Sequence, residues 1–128
     1  MGHQMHTIRA AEAPKFELPG IEFTGLATPS RGSGQLCTWL ITVAPGLDSP
    51  QAHTLDRDEV FMVVSGAVRL HPDAETLRAG DAAVVPAGTP IRVSNPGREP
   101  ASAYVAVLAD FTAAGADGTP IPSPPWAR

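Results

Sequence analysis

Residues 35–43 read Q-L-C-T-W-L-I-T-V, with apolar side chains in both phases of a two-residue repeat. In an extended chain Cys37, Trp39, Ile41 and Val43 share one face, and Leu36, Thr38, Leu40 and Thr42 share the other. The pattern predicts a strand buried on both faces, which suits a small double-sheet barrel. Apolar runs at 60–64 (V-F-M-V-V), 67–71, 81–85, 91–93 and 102–108 predict further strands. Residues 16–23 alternate imperfectly around Pro19-Gly20, as an edge strand broken by a turn does. Gly and Pro punctuate these runs because Gly accepts φ above zero and Pro fixes the entry to a turn. Outside the strands, residues 10–13 offer one helical turn before Pro14 stops it, and 110–116 read as short helical or irregular. His71-Pro72-Asp73 opens a hairpin loop with an exposed His, and Arg69 is placed to face out or to line the barrel mouth.

Two blocks organise the middle of the chain. The first runs from Gly46 to Gly66 as G-LDSPQA-H-TLDRD-E-VFMVVS-G, and the second from Gly80 to Asn95 as G-DAAVV-P-A-G-TP-I-RVS-N. Together they resemble the paired motifs of the cupin superfamily, G-x5-H-x-H-x(3,4)-E-x6-G and G-x5-P-x-G-x2-H-x3-N. Glu59, Gly66, Gly80, Pro86, Gly88 and Asn95 match in place, and the resemblance spans about residues 40 to 108. It implies an all-β fold, a double-stranded β-helix or jelly-roll barrel. The expected organisation is an N-terminal extension at 1–15, one barrel domain at 16–110 and a Pro-rich tail at 111–128.

Cupins that hold a metal resemble one another in taking two His and a Glu from the first motif and a third His from the second. In this chain those positions fall on His53, Leu55, Glu59 and Ile91. Two of the four carry aliphatic side chains with no lone pair to give, whereas a catalytic zinc takes three protein ligands and a non-haem iron two His and a carboxylate. A shifted register makes Gln51 and His53 the His pair, leaving Gln51, His53 and Glu59 as a weak set. The expectation is therefore no cofactor, with one divalent transition metal on those three residues as the alternative.

Composition narrows the partners. The 128 residues suit one domain, and the net charge of −4 comes from dispersed charges without a basic stripe, which argues against a nucleic-acid partner. No apolar run approaches the roughly 20 residues of a membrane-spanning helix. Residues 1–9 lack the apolar core of a signal peptide. His3 and His6 read as part of a solvated or tag-like end. Cys37 is the one cysteine, so no intrachain disulfide forms, and its apolar run makes it buried filler. The default location is cytoplasmic. Asp56-Arg57-Asp58-Glu59 reads as a solvated turn entering a strand. The tail, T-P-I-P-S-P-P-W-A-R, cannot enter a sheet interior and should run extended. Trp126 either tucks into a surface groove or docks the tail on its own barrel or on a partner.

Gln51, His53 and Leu55 alternate and point one way in an extended chain, inward if the barrel resemblance holds. His53 and Glu59 are the candidate catalytic pair. Gln51, Leu55, Phe61, Ile91, Val93, Trp39 and Tyr104 are the candidate ligand contacts. Leu55, Phe61, Ile91 and Val93 would dry the cavity and raise the pKa of a carboxyl inside it. The same His and Glu can equally hold strands together by bonding each other or the backbone. The chain thus reads as a barrel binding a small, partly apolar organic molecule, as a metal-dependent oxygenase or isomerase, or as a metal-free isomerase, cyclase or hydratase. In the last, His53 is the base and Glu59 or Tyr104 its partner. Resemblance to cupins, and an open N-terminal sheet edge, imply a homodimer.

Overall fold

The inward phase of the 35–43 run becomes one wall of a barrel. A computed structural model describes residues 4–128; His3 lies outside them. The strands in chain order are β1 (Lys15–Leu18), β2 (Ile21–Gly25), β3 (Leu36–Val43), β4 (His53–Leu55), β5 (Glu59–Ser65), β6 (Ala67–His71), β7 (Asp73–Arg78), β8 (Ala82–Val85), β9 (Arg92–Ser94), β10 (Ala101–Leu108), β11 (Ala113–Gly115) and β12 (Pro120–Ile121). The first layer is a six-stranded sheet in the order β1-β2-β3-β10-β5-β8. The second is built from two three-stranded pieces, β7-β6-β9 and β12-β11-β4. Bridges His53–Ile91 and Asp48–Ser94 link those pieces. His53 and Ile91 exchange both N–H···O bonds at 2.9 Å. All strand pairs are antiparallel, and the architecture is an all-β jelly-roll.

The core lies between the layers. Cys37, Trp39, Ile41 and Val43 of β3 are buried there with Ala101, Ala103, Val105 and Val107 of β10 and Phe61 and Val63 of β5. β3 is not buried on both faces, as its composition suggests. Its other phase, from Leu36 (exposed) to Thr42 (half-buried), faces outward because the second layer covers one side of the sheet alone. The broken edge strand at 16–23 is the β1–β2 hairpin, with Phe16 opposite Phe23.

The cupin turn residues have local reasons. Gly66 has φ 72°, and a Cβ there would stand 2.7 Å from the Pro100 carbonyl oxygen. Asn95 is buried and ties three backbone segments together. Its amide donates to the Val43 and Glu99 carbonyls at 3.1 and 2.9 Å, and its side-chain oxygen accepts the Gly97 N–H at 2.9 Å. These roles are architectural and do not depend on a metal ion beside them.

Three segments differ from their sequence reading. Residues 73–78 form an edge strand, β7, although D-A-E-T-L-R lacks a regular apolar alternation. His71 ends β6, half-buried, with Nε2 2.9 Å from Ser94 Oγ; it does not project from a loop. Residues 113–115, read as helical or irregular, form β11, which pairs with β4 and draws the chain beyond residue 110 into the second layer. Tertiary pairing overrides the weak strand propensity of A-A-G. Pro120 sits at the rim in β12, as a residue lacking N–H must. Arg69 lies on β6, where Nε donates to Thr76 Oγ1 at 2.9 Å. Among the described residues no helix is long and apolar enough to cross a membrane.

Candidate functional site

A cavity of about 280 Å³ opens between the two layers. His53 enters it from β4 and Glu59 from the start of β5, so the two candidate proton-handling groups come from opposite layers. The turn between them is held from outside. Asp56 accepts the Thr112 N–H at 2.6 Å, and Arg57 makes two bonds to Asp110 at 3.1 and 3.2 Å. Asp58 accepts the Ala87 N–H at 3.0 Å. The mixed-sign run is therefore a turn stapled to its neighbours, and Glu59, its last residue, is buried at 4% exposure.

Trp39, Leu55, Phe61 and Val93 line this cavity with His53 and Glu59, and Gln51 stands exposed at its rim. Two candidates are placed elsewhere. Ile91 is buried but borders a second cavity with Leu70, Leu77 and Val85. Tyr104 is 42% exposed on the outer face of β10, opposite Leu40 and Met62, because it falls in the outward phase between Ala103 and Val105. It is no partner for His53.

The sequence reading named Trp126 as a docking residue but not as a site residue and passed over Phe23, Phe111, Ala113, Ile121 and Pro124; all six line the same cavity. The tail is thus a wall of the site. Trp126 stacks on Phe23 with ring centroids 3.7 Å apart and planes 8° from parallel. Beyond it, Ala127 is buried and its carbonyl accepts from Cys37 Sγ at 3.4 Å. The Arg128 carbonyl accepts from Ser30 Oγ at 2.7 Å. Gly25 makes the approach possible, since a Cβ there would lie 2.9 Å from the Trp126 carbonyl oxygen. The inward phase of Phe23 in β2 and the lone aromatic in a Pro-rich tail were the signals available. Cys37, fully buried, has its thiol pKa pushed up to about 11 by that burial and is no nucleophile.

The electrostatics follow from the apolar walls. Burial raises the Glu59 carboxyl to about 7, so it is largely protonated below neutrality. Burial lowers the His53 pKa, keeping the imidazole neutral. Among the described residues neither side chain hydrogen-bonds to the protein, and no charged neighbour offsets either shift. A neutral acid and a neutral base facing one cavity can give and take a proton at near-neutral pH.

The donor set does not suit a cupin metal. His53 and Glu59 supply one nitrogen and one carboxylate, and among the described residues no three His, Cys, Asp or Glu side chains converge. Leu55 fills a ligand position with hydrocarbon, and Gln51 would have to complete the set.

The sequence matches the Cupin domain family over residues 39–107. No curated protein matches the chain. Its fold is similar to the polyketide cyclase RemF from Streptomyces resistomycificus, at 16% identity and TM-score 0.75, covering 84% of this chain and 82% of that one. It is also similar to a sugar phosphate isomerase of the cupin superfamily from Silicibacter pomeroyi, at 26% identity and TM-score 0.63, covering 77% and 67%. KdgF from Halomonas sp. is similar at 20% identity and TM-score 0.66, covering 81% and 94%. With more than half its length matched by the family and the same barrel in its structural neighbours, this chain belongs to the cupin family.

Proposed function

We propose that this cupin barrel binds a small, largely apolar organic molecule without a catalytic metal, and that His53 and Glu59 form a cofactor-free acid/base pair against it. The observation that carries this reading is one cavity with largely hydrocarbon walls that is bordered by two titratable groups, buried Glu59 and half-buried His53, whose side chains make no hydrogen bond within the described residues. Such a chamber lowers the cost of desolvating an apolar guest and strengthens any hydrogen bond made inside. Isomerisation and cyclisation are the reaction classes that structural neighbours carry and that proton transfer alone can serve. Titration calorimetry with cyclohexanol tests the binding half. Wild type should take it up, and Ala113→Trp, whose added ring fills the chamber, should not. No uptake by wild type, or equal uptake by the variant, contradicts the reading.

The alternative is a mononuclear-metal enzyme using Gln51, His53 and Glu59, which all border the cavity. It requires a carboxamide as third ligand.

The protein is further proposed to pair as a homodimer. The outward positions of β3, β10, β5 and β8 carry no charged side chain, from Leu36 and Leu40 through Tyr104 and Leu108 to Met62 and Val84. In an interface with two-fold symmetry the same patch serves both copies, so like charges would meet near the axis. A face without charge avoids that repulsion. Charge returns on β2 and β1, at Glu22, Lys15 and Glu17.

A further inference from the structure

The chain has four Phe, two Trp and one Tyr, and five of these seven rings border one cavity: Phe23, Trp39, Phe61, Phe111 and Trp126. Aliphatic side chains such as Ile41, Leu55, Val93 and Val105 share the lining and would suffice to keep it dry, so the gathering of rings here asks for a further reason. Phe23, Trp39 and Phe61 come from β2, β3 and β5 of the six-stranded sheet, and Trp126 and Phe111 from the C-terminal segment pack against the first two, so the rings make one continuous aromatic wall of the chamber. Two pairs of these rings already touch. Phe23 and Trp126 lie parallel, and Trp39 and Phe111 stand 6.1 Å apart at 40°. An aromatic wall gains more from a flat, conjugated guest that can stack on it or meet it edge to face than from a saturated one. A dry cavity of about 150 Å³ accepts benzene. A volume of about 280 Å³ therefore suits roughly two fused rings.

A second observation fixes the polarity of that guest. Glu59 is only 4% exposed and, among the described residues, has no hydrogen-bond partner for its carboxyl, yet it borders the chamber. Its oxygens are open to the chamber and not sealed in protein, so an oxygen on the guest can make the hydrogen bond that the protein leaves unmade.

We propose that the chamber is a slot for a planar, uncharged aromatic of about two fused rings bearing a hydroxyl or carbonyl oxygen, which Glu59 and His53 bind. The inference rests on the chamber being the ligand site. Phe23, Trp126 and Phe61 are the specificity-determining rings, and the tail that carries Trp126 sets the substrate class.

Calorimetry with 2-naphthol, naphthalene and decahydro-2-naphthol separates the claims. The first and last share a carbon skeleton and a hydroxyl but differ in planarity and π-electrons. The expected order is 2-naphthol tightest, at least about tenfold over decahydro-2-naphthol, since each aromatic contact adds a few-fold beyond area alone. Naphthalene should bind more weakly than 2-naphthol. Trp126→Leu should bring 2-naphthol and its saturated analogue to within about twofold, and Phe61→Leu gives the same reading on β5 should the first variant lose its tail. If the saturated alcohol binds as well as 2-naphthol, the aromatic inference falls and the ligand chamber stands. If naphthalene binds as tightly as 2-naphthol, the role of Glu59 and His53 falls. If none of the three binds, the chamber itself is not the ligand site.

Discussion

Glu59 and His53 push the stability of this barrel in opposite directions with pH. Glu59 has a folded pKa of about 7 against an ordinary 4.5, so the folded state holds its proton more tightly. The stability it contributes is fully present below about 4.5 and is lost as pH rises through about 7, in total roughly 3 kcal/mol. His53, with its pKa depressed by burial, contributes stability above the ordinary 6.5 that is lost as pH falls. Among the described residues they are the only titratable side chains bordering the chamber. Glu59→Gln keeps the shape and removes the ionisation, so melts at pH 8 should show the variant more stable than wild type by about 3 kcal/mol, a gap that shrinks to less than about 1 kcal/mol at pH 5. Parallel melting profiles for the two proteins would show that Glu59 ionises freely. The same substitution should make 2-naphthol binding independent of pH between 6 and 8, because Gln cannot ionise, whereas wild type should weaken over that range.

At the scale of elements, the C-terminal tail behaves as part of the barrel. β11 pairs with β4, and Trp126 closes on Phe23 over a glycine that alone admits its backbone. Trp126→Ala should cost about 2 kcal/mol, less than a fully buried Trp because this ring is half-exposed. Gly25→Val should loosen the same contact from the other side, and both should raise solvent quenching of the remaining indole signal. A tail that stays protected from proteolysis in both variants would contradict this anchoring. The barrel itself was legible in the sequence. The strand pattern at 35–43, 60–64 and 102–108 and the spacing of Gly66, Gly80, Pro86, Gly88 and Asn95 report local turn geometry and inward-facing phase, which sequence encodes directly. Half of the site was legible for the same reason: His53, Leu55, Glu59 and Phe61 sit in fixed register to those turns. Phe23, Phe111 and Trp126 were not, because they meet only through long-range pairing of chain ends. Tyr104 was misplaced by one strand phase, which sends a side chain to the opposite face. β11 was missed because Ala-Ala-Gly is a strand only where β4 makes it one.

For the whole molecule, the uncharged outer face predicts a dimer. Sedimentation at micromolar concentration should give twice the chain mass, and Met62→Arg with Tyr104→Arg should give a monomer that still melts cooperatively. A wild-type monomer would remove the interface. The larger question is what a cupin does when hydrocarbon replaces the side chains that ordinarily hold its ion. On the reading proposed above, the barrel keeps its chamber, uses burial to set a neutral acid against a neutral base, and selects its guest by aromatic walls. Metal content tests that most directly. Protein purified without a metal column, mixed with excess manganese, iron(II) or zinc and then desalted, should retain less than about a tenth of an equivalent of each, since two protein donors do not hold these ions. Retention near one equivalent, lost in His53→Ala, would contradict a metal-free chamber.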